Sequence, residues 1–260
     1  MTQPLHLVTG AAGGIGTALV RRLVADGHRV LVTDHDRSAA AAVADEFQTP
    51  WMELDVTRPE SWTEVVGRLE ADGTDVRGLV LNAGVAGLSS PSEFDLERYR
   101  SGFAVNVDGV VNGLVALSPL LQRSGAGSVV VTASIAGLTG IPFDPFYAMT
   151  KHAVIGLVRS LEAEFQERGV TIQAVCPGLV DTELLGEARH AVEEAEFPLI
   201  QPDDIATTIV DCLNGERTDV VTVVQPGRLP AAYRFAGIPG PGGTTAAMPT
   251  DLRVGRISDR

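Results

Sequence analysis

The sequence predicts an α/β fold in which a doubly wound parallel sheet carries helices on both faces. Three observations support this. Short apolar runs that read as buried strands alternate with helical patterns along most of the chain. The first run, Leu5 to Thr9, stops at a cluster of glycines, as a buried parallel strand entering a turn does. The 260 residues are 45% hydrophobic and 20% charged, with no Ser/Pro/charge linker to separate two folding units, which suits one large core.

Each element follows in order. After the strand at Leu5 to Thr9, helical pattern resumes from Gly16 to Ala25, and Arg29 to Thr33 reads as a second strand ending at Asp34. An alanine-rich helix spans Ser38 to Phe47, then come a strand at Trp51 to Leu54, a helix at Glu60 to Ala71 and a strand at Gly78 to Leu81. Leu96 to Gln122 is mainly helical, Ser128 to Ala133 is the fifth strand, and Phe146 to Arg168 is a long helix. Thr171 to Cys176, a polar stretch, a helix at Pro202 to Leu213 and a strand at Val220 to Val224 complete the pattern. One domain is expected over residues 1–224. The Pro/Gly-rich extension 225–260 cannot hold a long regular element and is expected to drape over the domain or a neighbouring subunit.

Composition narrows the function. The net charge of −13 is spread along the chain without clustered Lys/Arg, which argues against a nucleic-acid partner. With only Cys176 and Cys212, and no basic segment followed by a long apolar one at the N-terminus, a reduced cytoplasmic setting is expected. No charge occurs from Ser124 to Phe143, but the Gly, Ser, Thr and Pro content there points to a buried strand and loop, so no membrane partner is expected. His6, His28, His35, His152 and His190 show no paired ligand spacing, so no metal is expected either.

The segment TGAAGGIG, Thr9 to Gly16, joins the first strand to the first helix. Gly10 permits the tight turn, Gly14 lets the backbone approach a pyrophosphate, and Gly16 lets helix pack on strand, while the helix N-terminus offers oriented N–H groups. Turns use glycine freely, so the loop alone is a weak signal. Asp34 lies 18 residues beyond Gly16, where an acid accepts hydrogen bonds from an adenosine ribose, although an Asp there equally caps a helix. The acid repels a 2′-phosphate and Gly13 offers no basic side chain to attract one, so NAD is expected in preference to NADP.

Tyr147 and Lys151, in YAMTK, are four residues apart and share a helix face. A tyrosine that works as a base near neutrality needs its phenolate favoured by about 4 kcal/mol over the free side chain, and an ammonium held close contributes to that. Ser134, 13 residues before the tyrosine at a strand end, is placed to donate to the oxygen that changes between alcohol and ketone. The Gly-x-Ser-x-Gly and Ser-x-x-Lys patterns of acyl transfer do not occur.

In order along residues 5 to 224, TGAAGGIG, Asp55-Val56, Asn82-Ala83-Gly84, Asn106, Ser134, YAMTK and the PGLVDT of Pro177 to Thr182 resemble the short-chain dehydrogenase/reductase family. The stretch 136–176 is similar to hydroxyprostaglandin dehydrogenase-like members. The resemblance implies a Rossmann-like sheet of about seven strands and an NAD(P)-dependent alcohol/carbonyl oxidoreductase. It implies that Ser134 polarises the substrate oxygen, Tyr147 moves the proton, Lys151 holds the nicotinamide ribose and supports the phenolate, and Asn106 anchors a water. It further implies cofactor contacts at Gly10, Gly13, Gly14, Ile15, Gly16, Asp34, Asp55, Val56, Asn82, Ala83, Gly84, Tyr147, Lys151, Pro177, Gly178, Val180 and Thr182. Two departures stand out: Leu81 where many members carry asparagine, and VVTVVQPGRLP where many close the last strand with Asp-Gly-Gly.

The expected substrate is an apolar secondary alcohol or its ketone, cyclic or lipid-like, with Leu88, Leu138, Phe143, Leu179, Leu184 and Leu185 as candidate walls that read equally well as ordinary core. Apolar residues on more than one face of the helices Leu96 to Gln122 and Phe146 to Arg168 point to a homodimer or homotetramer, as the resemblance does. The competing readings are an NADP-dependent carbonyl reductase and a non-catalytic NAD-binding sensor of the same fold. The sensor sits poorly with retention of Asn106, Ser134, Tyr147 and Lys151 together.

Overall fold

The computed structural model describes residues 4–88, 90–186 and 188–236. Its strands are β1 (Leu5–Thr9), β2 (Arg29–Asp34), β3 (Trp51–Glu53), β4 (Val76–Leu81), β5 (Gly127–Thr132), β6 (Val170–Pro177), β7 (Val221–Val224) and β8 (Ala231–Ala232). Its α-helices are α1 (Gly14–Ala25), α2 (Arg37–Phe47), α3 (Pro59–Ala71), α4 (Leu96–Phe103), α5 (Gly109–Ser124), α6 (Pro145–Glu167), α7 (Ala188–Glu194) and α8 (Pro202–Leu213).

The strands form one sheet in the order β3-β2-β1-β4-β5-β6-β7-β8, parallel except for β8. The winding reverses between β1 and β4, so the strands' carboxyl ends open a crevice there, the usual ligand position in such sheets. Alternate residues along each strand feed two cores. Leu5 and Leu7 of β1, Leu79 and Leu81 of β4, Val129 and Val131 of β5 and Ile172 and Ala174 of β6 face the layer of α3, α5 and α6. Val8, Val80, Val130 and Val175 face α1, α2 and α8. Burial on both faces explains why these strands read as continuous apolar runs. The uncharged run from Ser124 supplies β5, which is buried throughout.

Local chemistry sets the helix starts. Asp36 caps α2 by accepting from the N–H groups of Ser38 and Ala39, and Pro59 and Pro202 occupy the first position of α3 and α8. At the end of β3, fully buried Trp62 donates from Nε1 to the Val56 carbonyl at 3.0 Å.

Three features depart from the expected elements. The sheet has an eighth strand: β8 pairs antiparallel with β7, with Tyr233 N–H donating to the Val221 carbonyl at 2.9 Å. Two alanines between Pro230 and Tyr233 carry no strand periodicity; the unpaired backbone of the β7 edge recruits them. The helix expected over Leu96 to Gln122 is interrupted by a π-helical turn, Ala104–Asp108, between α4 and α5. The polar stretch after Pro177 contains α7. Residues 96–124 are long and apolar enough to cross a bilayer by length and composition. Here the apolar side of α5 is spent on β4, β5 and α3. The expected C-terminal extension is described only to Ala236; 237–260 lie outside the described residues.

Candidate active site

The glycine loop is built by close approach. The Thr9 hydroxyl accepts from the N–H groups of Asn82 at 2.9 Å and Ala83 at 3.1 Å, clamping β1 to β4 across the switch point. Gly10 has φ +58°, and a Cβ on it would stand 2.8 Å from the Ala83 Cα. A Cβ on Gly16 would lie 2.2 Å from the Gly10 carbonyl oxygen, and one on Gly14 would lie 2.6 Å from the Thr182 Cγ2. Gly13 is different, because a Cβ there would meet only the Gly10 oxygen, at 3.5 Å. Ile15 packs against the core on the α1 side. Helix α1 starts with Gly13 at its cap, no side-chain capping bond and no acid in its first turn. Its leading N–H groups therefore keep their capacity for an anion.

Asp34 ends β2 with its carboxylate buried. Oδ2 accepts from the Ala12 N–H at 3.1 Å, and Oδ1 accepts from the Asp36 N–H at 3.1 Å and meets His35 Nδ1 at 2.9 Å. The acid is thus fastened to the glycine loop. Asp55 and Val56 sit one connection further out, after β3. Asp55 Oδ1 accepts from the N–H and hydroxyl of Thr57, and the Val56 carbonyl accepts from Trp62 and from Asn112 Nδ2 at 3.0 Å each. Asn82 turns its amide inward, donating to the Thr9 and Gly10 carbonyls at 3.2 and 3.0 Å, so its side chain braces the loop and does not face the crevice.

Gly84 lies where the two halves meet. A Cβ on it would come within 3.3 Å of Asn106 Oδ1 and 3.4 Å of Lys151 Nζ. Pro177 ends β6, the Gly178 N–H donates to the Val224 carbonyl at 2.9 Å, and buried Val180 bridges to Ile200, which aims Thr182 back at Gly14.

Asn106 stands in the π-helical turn, buried. Its Oδ1 accepts from the Val85 N–H and its Nδ2 donates to the Val85 carbonyl, both at 2.9 Å, and Nδ2 also donates to Thr150 Oγ1 at 3.1 Å. The amide is spent on protein groups, and the wide turn is what brings it to the Val85 backbone. Ser134 follows β5 in extended backbone; its hydroxyl oxygen accepts from the Ala136 N–H at 3.1 Å, and its side chain lies beside that of Tyr147. Lys151 is buried on α6, with Nζ donating to the Thr132 carbonyl at 3.1 Å and lying 5.6 Å from the centroid of the Tyr147 ring.

Burial dominates the electrostatics. It pushes Tyr147 up to about 12 against a pull down from the Ser134 hydrogen bond, with Asp144 and Cys176 adding to the rise. It pulls Lys151 down to about 8. Buried Cys176 on β6 is pushed up to about 12, so it stays a neutral thiol beside the pair.

Several participants escape sequence reasoning. Asp144 caps α6 and also bonds Gly87 and Leu88. An Asp before Pro145 is a readable helix start, but its second set of bonds is not. Thr150 links Asn106 to the Tyr147 carbonyl, donating to the latter at 2.7 Å. Arg189 of α7 donates to Asp181 Oδ1 at 2.8 Å and to the Thr182 carbonyl at 3.1 Å, tying α7 to the loop that reaches Gly14. Leu88, expected as a pocket wall, is fully buried against Gly102 and belongs to the packing of α4.

Residues 5–193 match the family described as short chain dehydrogenase. A 2-(S)-hydroxypropyl-CoM dehydrogenase of Xanthobacter autotrophicus is 32% identical over 227 residues, covering 80% of this chain and 89% of its own. A 3-alpha-(or 20-beta)-hydroxysteroid dehydrogenase of Mycobacterium tuberculosis is 33% identical over 214 residues, covering 76% and 82%. An actinorhodin polyketide ketoreductase variant crystallised with NADPH superimposes with a TM-score of 0.80 at 25% identity, covering 86% of this chain and 97% of that one. A short-chain dehydrogenase/reductase from Burkholderia phymatum in complex with NAD shares the fold at a TM-score of 0.76 and 24% identity, covering 84% and 88%. On these grounds the chain belongs to the short-chain dehydrogenase/reductase family, whose members here are oxidoreductases acting on CH–OH groups.

Proposed function

We propose that the protein is an NAD-dependent oxidoreductase interconverting an apolar secondary alcohol and its ketone. The observation that carries this reading is the gathering of Ser134, Tyr147 and Lys151 at the open end of the sheet, with the Lys151 Nζ 5.6 Å from the centroid of the Tyr147 ring.

The loop fits a dinucleotide: the uncapped start of α1 and the open space at Gly13 suit a pyrophosphate, and Asp34 suits a ribose diol. Gly10, Gly14, Ile15 and Gly16 would shape the loop, Asp55 and Val56 would border the adenine, Asn82, Ala83 and Gly84 the adenosine side, and Pro177, Gly178, Val180 and Thr182 the carboxamide end. When bound, the nicotinamide supplies the hydride acceptor and a positive charge. Ser134 would hold the substrate oxygen by a hydrogen bond, and Tyr147 would take the proton from that oxygen. Lys151 would hold the cofactor ribose and keep a cation near the phenol, and Asn106 would keep the Val85 backbone and α6 in register.

Two facts favour NAD over NADP. Asp34 presents a fixed negative charge at the loop, and the nearby cation Arg37 is engaged by Glu53 at 3.5 Å and by the Trp51 ring at 5.3 Å. An apolar substrate is supported by Phe143 and Leu184, 75% and 49% exposed on the segments leading into α6 and out of Thr182. Exposed Val111 and Val115 on α5 and Met149 on α6 support association into a homodimer or homotetramer.

The test is to incubate the protein with NAD, and separately with NADP, against a panel of secondary alcohols and to follow absorbance of the reduced cofactor. Turnover confined to sugar phosphates or charged carboxylates would overturn the substrate class. Absence of any turnover, with NAD still bound, would favour a sensor. Tyr147→Phe is expected to lower kcat by roughly 10²- to 10⁴-fold while leaving NAD affinity nearly unchanged.

A further inference from the structure

Asp144 does more than start a helix. Its Oδ1 accepts from the Tyr147 N–H at 3.2 Å, which completes the cap of α6. Its Oδ2 accepts from the Gly87 N–H at 2.7 Å and from the Leu88 N–H at 3.2 Å. Capping requires one acceptor, and a serine hydroxyl would suffice. The second oxygen is used on a loop 57 residues earlier in the chain. That loop is held at its other end by Asn106, whose amide takes both polar backbone groups of Val85. Gly87 turns there with φ +74°, a conformation open to glycine, so the two amides that Asp144 receives are presented by a sharp bend.

Asp144 is 5% exposed, and its carboxylate accepts three main-chain N–H groups. Ser134 beyond β5, Cys176 on β6 and Lys151 one turn along α6 gather around Tyr147 on the same side of the crevice.

We propose that Asp144 is a positioning residue for the oxidoreduction: it pins the Val85–Leu88 loop to the first turn of α6, so that the loop, Asn106 and Tyr147, the proton-transfer group, move as one body. This rests on the assignment of Tyr147 as that group. Without Asp144 the loop keeps its hydrogen bonds to Asn106 at Val85 and the packing of Leu88 against Gly102, but the tyrosine's helix loses its hydrogen-bonded tie to Gly87 and Leu88.

One variant separates the cap from the tie: Asp144→Ser retains a cap for Tyr147 but is too short to reach Gly87 and Leu88. Hydrogen exchange, measured without any cofactor, is expected to show the Gly87 and Leu88 amides exchanging at least about tenfold faster in Asp144→Ser than in wild type. In Asp144→Ser, kcat is expected to fall tenfold or more with the KM for NAD little changed. Wild-type protection of both amides in Asp144→Ser, or an unchanged kcat in that variant, overturns the positioning role. If wild type turns over no alcohol, the assignment of function fails instead, and the exchange experiment still decides whether Asp144 holds the loop.

Discussion

Lys151 places its Nζ 5.6 Å from the centroid of the Tyr147 ring, one turn along the same helix, and donates from it to the Thr132 carbonyl at 3.1 Å. The two side chains are therefore neighbours that do not share a proton directly. Their ionisations run in an order that matters. Burial brings the lysine down to about 8 and takes the tyrosine up to about 12. As pH rises, the ammonium is lost first, so at the pH where the phenol would ionise its neighbour is no longer a cation. Lysine alone does not make this tyrosine a base near neutrality, contrary to the simplest reading of YAMTK. On the proposed reading, the oxidised nicotinamide would supply the missing charge when bound. In the ligand-free protein, tyrosinate absorbance of wild type minus Tyr147→Phe is expected to show no ionisation below the ordinary ~10. With NAD present it is expected to appear at lower pH. Ionisation near neutrality without cofactor would refute this order.

Lys151 carries a cost in stability, which its proposed role would explain. Its folded value of about 8 lies below the 10.5 of an unperturbed lysine, so the buried charge destabilises the fold at all pH below about 8, and the cost is relieved as pH rises from there to 10.5. The cost is about 3 kcal/mol, partly offset by the hydrogen bond to Thr132, worth about 1 kcal/mol. Lys151→Met is expected to be as stable as wild type or more so at pH 7, by up to about 2 kcal/mol, while kcat falls at least about 10²-fold. A chemical denaturation curve and an assay on the same sample check both halves. A large loss of stability would show that the ammonium is held more favourably than its burial implies.

Much of the frame is legible in the sequence because it is written locally. Strands β1, β2 and β5 are apolar runs bounded by Gly or Asp, and α2 and α6 begin at Asp residues that cap them. What escapes depends on distant partners. The π-helical turn at Asn106 sits inside an unbroken helical pattern and is bonded to Val85, 21 residues away. Strand β8 is two alanines recruited by an edge. Leu88 is apolar whether it lines a pocket or fills a core, and only its contact with Gly102 decides. Asn82 belongs to the right motif, yet its amide serves Thr9 and Gly10. A motif identifies the residues that gather at the crevice, and three-dimensional contacts decide which of them face it.

On the proposed reading, a preference for NAD would rest on charge at the loop. Asp34→Ser removes the negative charge while a hydroxyl stays near the Ala12 N–H, and Gly13→Arg adds a cation where a side chain meets only open space. The double variant is expected to lower the ratio of kcat/KM for NAD over NADP by roughly 10- to 100-fold, about 1.4 to 2.8 kcal/mol. Parallel assays with the two cofactors measure it. An unchanged ratio would place the discrimination elsewhere.

Gly14 is the opposite case, because space there is already taken. A methyl at Gly14 would lie 2.6 Å from the Thr182 Cγ2, so Gly14→Ala must push Thr182 and its loop away. That loop is fixed by Arg189 and by the Val180 bridge to Ile200, and it cannot yield freely. NAD affinity is expected to fall about tenfold or more in Gly14→Ala, whereas Gly13→Ala stays within about threefold of wild type. Calorimetric titration of both variants provides the comparison. Equal losses in the two would show that backbone freedom, not packing against Thr182, governs the loop.

At the opposite end of the sheet, His6 gives the fold an acid-sensitive point. It is 5% exposed on β1, its ring edge-on to His28 at 4.7 Å between centroids, and its Nδ1 has no hydrogen-bond partner among the described residues. Burial first and His28 second bring it down to about 4 from 6.5, so the folded protein holds it neutral. The sign follows: the unfolded chain takes up the proton below 6.5 and the native state does not, so stability is lost as pH falls from 6.5 toward 4 and the loss is complete below that. The full effect is about 3 kcal/mol. Carboxylates titrate in part of this range as well, so the difference between wild type and His6→Asn isolates the histidine. The denaturation midpoint of wild type is expected to fall more steeply than that of His6→Asn between pH 6.5 and 4, even if the variant is less stable at pH 7. Parallel slopes across that interval would mean that the imidazole is protonated inside the fold without penalty.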